Sequence, residues 1–73
     1  MNSKLISQRI NSDPNPFVFR LSDGTRVAVS HPDYVAVSPG QVLVIGPDEA
    51  VTKIDPLHIV AIEEPAPNAG AKS

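Results

Sequence analysis

Cysteine and tryptophan are both missing from this 73-residue chain, and its aromatic residues are only Phe17, Phe19 and Tyr34. Without cysteine, neither a disulfide framework nor a thiolate metal site can stiffen a small fold. A basic excess is missing too. Six Lys and Arg residues stand against eight Asp and Glu, a net charge of −2. Within residues 17–63 the balance is more acidic, with Arg20, Arg26 and Lys53 against Asp23, Asp33, Asp48, Glu49, Asp55 and Glu63. A protein that draws its affinity from nucleic-acid phosphates ordinarily carries surplus cations, so any such contact here rests on a local patch. No apolar run approaches the roughly 20 residues of a membrane helix, and residues 1–10 lack the apolar stretch of a signal peptide. These absences predict a cytoplasmic bacterial protein with no membrane association.

What is present is a change of period. Residues 1–15 read as a short helix and a linker. Asn2 or Ser3 can cap the helix, and Leu5, Ile6 and Ile10 supply its apolar side. Asp13-Pro14 and Asn15-Pro16 then end it, because a residue before proline avoids the helical region. So short a helix does not persist alone in water and must dock on something. From Phe17 onward apolar residues alternate in short runs punctuated by Gly and Pro, at 17–21, 25–29, 34–38, 41–45, 50–54 and 58–63. Short, regularly spaced runs rich in Val and Ile predict strands of an antiparallel barrel or sandwich over residues 16–64. Residues 65–73 (PAPNAGAKS) have nothing to pack and read as a disordered tail.

The stretch Leu21-Ser22-Asp23-Gly24-Thr25-Arg26 can be tested for register. A two-residue Asp-Gly turn would set the apolar face of one strand against the wrong face of the next. A three-residue loop, Ser22-Asp23-Gly24, instead pairs Phe17 with Val29, Phe19 with Val27 and Leu21 with Thr25. It also sets Arg20 opposite Arg26 on the outer face. Neighbouring like charges repel, so the pair calls for an anion. Either a protein carboxylate, with Glu63 or Asp33 as candidates, or a bound phosphate could supply it.

Together, the N-terminal helix, the proline link, "PFVFRLSDGTRVAV" and "IDPLHIVAIE" resemble the Sm-like (Hfq-like) proteins. A group of short, uncharacterised bacterial proteins is similar in wording, through Pro16, Phe17, Leu21, Asp23, Gly24, His31, Pro32, Val35, Leu57, His58 and Ile59; it implies no activity. The Sm-like resemblance implies a mostly β fold. This is a small, bent antiparallel barrel, Sm-like or Src-homology-3-like, of five or six short strands after one short N-terminal α-helix. It also implies RNA binding by a ring of subunits. Two departures bear on that function. Asp55-Pro56 stands where the Hfq lysine-histidine pair would be, and Val29-Ser30 stands where a bending glycine would be.

Candidate site residues follow. Arg20, Arg26 and Lys53 are candidate contacts for RNA or another anion, with Tyr34 as a stacking platform, although a single tyrosine near a strand start more often packs at the barrel rim with its hydroxyl wet. Val42, Leu43, Val44 and Ile45 are apolar on both faces, so the second face is expected to be an oligomer contact unless the N-terminal helix covers it. His31 and His58 lack the spacing of metal ligands and read as structural, His31 in a turn and His58 half-buried on a backbone partner. Nothing resembles a nucleophile elbow or a phosphate loop, and the core is thin, so neither enzyme activity, metal nor cofactor is expected. The two functions that remain are an Sm-like oligomeric RNA-binding module and a protein-interaction or self-assembling module without nucleic acid.

Overall fold

The computed structural model describes residues 1–64, so the expected tail at 65–73 lies outside the described residues. Helix α1 (Ser3–Ser12) is followed by β1 (Phe17–Leu21) and β2 (Arg26–Val29). A 3₁₀ turn (Pro32–Tyr34) leads into β3 (Val35–Ser38), and β4 (Gln41–Ile45) and β5 (Val51–Ile54) come next. A second 3₁₀ turn (Pro56–His58) leads into β6 (Ile59–Glu63). The protein is thus mostly β with one N-terminal helix. Its strands form two three-stranded antiparallel sheets, ordered β2-β1-β6 and β3-β4-β5.

The expected closed barrel is not seen. No ladder joins β2 to β5 or β3 to β6, so each sheet keeps its own edges. The two sheets instead face each other across one core of Phe17, Phe19, Val29, Val42, Val44, Ile54 and Ile59, into which α1 inserts Ile6. Phe17 and Phe19, two apart on β1, point the same way and meet edge to face at 5.1 Å. The expected apolar side of α1 is corrected at one position. Ile6 and Ile10 turn inward, but Leu5, a 100° step from Ile6 around the helix, is exposed.

The two halves of the chain repeat each other. Both hairpins turn through the same three-residue loop: Leu21 N–H donates to Thr25 O and Gly46 N–H to Ala50 O, each at 2.8 Å. Gly24 N–H and Glu49 N–H close the same inner turn onto Leu21 O and Gly46 O. The loop residues Gly24 and Glu49 share the left-handed region, with φ of +88° and +67°. In each loop an aspartate, Asp23 or Asp48, accepts the backbone N–H two residues on. The 3₁₀ turns repeat as well: His31 and Asp55 each accept an N–H at the turn start, and Pro32 and Pro56 are both buried. Each sheet takes its hairpin from one half and its third strand from the other. The third strands are not equivalent: β3 sets Val35 against Val44, while β6 sets Ile59 against Leu21 and carries an irregularity between Arg20 and Leu21.

Candidate binding surface

The hairpin β1–β2 holds the register that its hydrophobic pattern demands, with Phe17 on Val29, Phe19 on Val27 and Arg20 on Arg26. The anion between the arginines is Glu63. β6 pairs with the other side of β1, and Glu63 reaches across it: Arg26 Nε lies 2.8 Å from one carboxylate oxygen, and Arg20 Nη1 lies 3.7 Å from the other. Both guanidinium groups stay exposed to water, at 45% for Arg20 and 64% for Arg26. One carboxylate therefore serves two cations, which satisfies the pair within the chain.

The other candidate residues are not brought to this pair. Tyr34 lies in the first 3₁₀ turn, with its ring 6.3 Å from that of His31 and the residue 48% exposed. Lys53 lies on β5 in the second sheet, opposite Leu43. His31 sits in a turn as expected, its Nδ1 accepting Asp33 N–H at 3.0 Å. His58 departs from expectation. It is exposed rather than half-buried, and its Nδ1 faces Ser22 Oγ at 3.4 Å rather than a backbone group.

The four apolar residues of β4 also separate. Val42 and Val44 are buried in the same core as Ile6, so neither offers a side chain to a partner. β4 is the middle strand of its sheet, so both of its backbone edges are paired. Only Leu43, half-buried, and Ile45, exposed, look outward. The expectation that all four form an oligomer contact is corrected accordingly. Alternation sends every second side chain inward, where Val42 and Val44 join the core shared with Phe17, Phe19 and Ile59 of the other sheet and with Ile6.

Two lines of open edge remain to be filled. Along the β3–β6 line lies α1. The Met1 amine donates to the carbonyls of Pro56 and Ile59 at one end, and Arg9 grips Glu64 at the other with Nε at 2.5 Å and Nη2 at 2.8 Å. Arg9 also lies over the Phe17 ring at 4.5 Å and donates to Asp13 O. The Arg9 hydrogen bonds hold the Glu64 carboxyl below its ordinary range, and the same contact raises the guanidinium. This clamp is absent from the sequence reading; its one signal is an arginine in the last turn of the helix, which favours cations.

Among the described residues nothing lies along the β2–β5 line. An open groove of about 380 Å³ runs there, floored by Leu21, Val27 and Ile54 and rimmed by Ser22, Asp23, Thr25, Thr52, Lys53, Asp55 and His58. A second groove of about 290 Å³ lies toward the other end of β2, lined by Ala28, Val29, Ser30, Ile45, Gly46 and Pro47 together with Pro16, Phe17 and Val18. The Asp23 carboxyl sits below its ordinary range, first because it accepts the Thr25 backbone N–H and hydroxyl, and in smaller part because His58 is near. Asp55 is likewise occupied, accepting Leu57 N–H at 2.9 Å.

Among the described residues no group of three or more His, Cys, Asp or Glu is placed to hold a metal ion, and no helix is long and apolar enough to cross a membrane. Comparison of the chain with known protein families, curated proteins and solved structures gives no match.

Proposed function

We propose that this chain is a non-catalytic binding module that recognises protein rather than nucleic acid. The observation that carries the reading is the Arg20–Glu63–Arg26 bridge. The one cluster of cations in the sheets already has its anion, inside a region of net negative charge. A phosphate would have to compete with a carboxylate that bonds Arg26 Nε and lies within ion-pair distance of Arg20. Catalysis is not part of the reading.

The exposure of Arg26 and Tyr34 favours the second reading, an Sm-like oligomeric RNA-binding protein. Native mass spectrometry of protein purified without nuclease, with its 260/280 absorbance ratio, separates the two. Protein free of nucleic acid is expected, and replacing Arg20 and Arg26 by serine is expected to leave any weak RNA affinity and its salt dependence unchanged. A closed oligomer that carries RNA, and releases it when both arginines are replaced, would overturn the protein-binding reading and establish the other.

A further inference from the structure

The two edge strands that face the open seam are chemically unfinished. In an antiparallel pair, residues alternate between exchanging backbone hydrogen bonds with the partner strand and pointing those groups away. The bond from Leu21 N–H to Thr25 O sets the phase for β2, so Val27 and Val29 face β1 while Arg26 and Ala28 turn their N–H and C=O groups outward. The equivalent bond from Gly46 N–H to Ala50 O sets the same phase for β5, where Val51 and Lys53 turn outward. β2 pairs with β1 alone and β5 with β4 alone, so these groups have no ladder partner among the described residues. Unpaired strand edges are templates for another strand.

Charge says which strand. Asp23 and Asp55 rim one end of the seam, and Asp48 and Glu49 lie on the exposed loop that feeds β5 at the other. Arg26 is held by Glu63, which leaves Lys53 as the cation opposing four carboxylates. The floor between them is apolar.

We propose that the seam between β2 and β5 is a docking site for an extended, basic peptide segment of a partner protein. The segment adds as a strand to the outward backbone groups of β2 or β5, sets alternate apolar side chains on the floor, and places lysine or arginine against the acidic rim. The proposal rests on the protein-binding reading above and specifies its site and partner chemistry.

The test is a titration of the full ¹⁵N-labelled chain with two blocked heptapeptides, one alternating lysine with valine and one alternating glutamate with valine. The lysine peptide is expected to move the amides of Arg26, Ala28, Val51 and Lys53 and to slow their hydrogen exchange about tenfold at saturation. The glutamate peptide is expected to bind at least about fivefold more weakly, the gap closing as salt rises. Replacing Asp23 and Asp55 by asparagine keeps an oxygen for each turn and removes both charges; it is expected to weaken the lysine peptide about threefold or more. Ala28→Pro removes an outward N–H without breaking the β1 ladder. It is expected to weaken binding while the amide spectrum of β4 and β6 stays unchanged. Shifts confined to the Arg20–Glu63 face, equal binding of the glutamate peptide, or no seam shifts at millimolar peptide would each overturn the proposal. So would a single-stranded RNA that moves the seam amides more strongly than the peptide. The protein-binding reading falls only on its own result, RNA carried through the arginine pair.

Discussion

The two seams of this molecule start from the same geometry and end differently. Between β3 and β6 the gap is filled by α1, fastened at one end through the Met1 amine and at the other through Arg9, with Ile6 driven into the core between them. Between β2 and β5 no element of the described chain intervenes, and the rim is polar above an apolar floor. Since the two hairpins are built alike, the difference is not in the sheets but in what covers them. One seam belongs to the stability of the fold. The other is left uncovered by the described residues.

That contrast makes quantitative predictions. The largest effect belongs to Ile6→Ala, which removes a fully buried side chain at the centre of the filled seam; a loss of about 3 kcal/mol is expected in urea unfolding. For a chain this small, that is a large share of the total stability. At the open seam, Val51→Thr replaces an exposed apolar residue, and the expected change is within about 0.5 kcal/mol. Comparable losses at both positions would mean that the seams are not distinct in kind.

Arg9→Ala should come next. It removes the guanidinium from Phe17, frees Glu64 and exposes packed stem atoms, for an expected loss of about 1–2 kcal/mol at neutral pH. The pH dependence has a definite sign. Glu64 has its pKa lowered in the folded state, so its contribution is present above the ordinary glutamate range and lost as pH falls through the folded value. Unfolding midpoints of the parent should therefore drop in acid more steeply than those of the variant, and the two curves should converge at low pH. Parallel curves would show that the clamp adds packing and no linked charge.

How much of this was legible in the sequence follows the range of each signal. The β1–β2 register was readable because a one-residue slip would have exposed Phe17 and Phe19, and that constraint is local. The arginine pair and the need for an anion followed from it, with Glu63 named among the candidates. The fate of β4 was not readable. Val42, Leu43, Val44 and Ile45 look alike in sequence, and only the way the second sheet and Ile6 meet β4 decides that two of them are core. Barrel closure failed for a similar reason. Pairing between edges is a property of how two sheets face each other, and no local pattern encodes it. The internal repeat lay in plain view in the spacing of Pro32 and Pro56, but its hairpins differ in composition: Gly24 in one loop stands where Glu49 does in the other.

That last difference yields the smallest and cleanest test. Both residues occupy the left-handed region at the same point of the same loop, and only one is glycine. A Cβ built on Gly24 meets no atom within 4 Å, so Gly24→Ala has no steric clash with its surroundings, and its cost is that of the backbone alone, about 1 kcal/mol. Glu49 already carries that cost. Glu49→Gly should relieve it, but glycine also loses more freedom on folding, so the net gain is expected to be only about 0.5 kcal/mol. The substitution also removes one of the four carboxylates flanking the open seam. If the basic peptide binds there, the same variant should be slightly more stable and a slightly weaker binder, two small effects of opposite benefit from one side chain. A gain in stability with undiminished binding would locate the charge recognition at Asp23 and Asp55, the end of the seam with the larger of its two grooves.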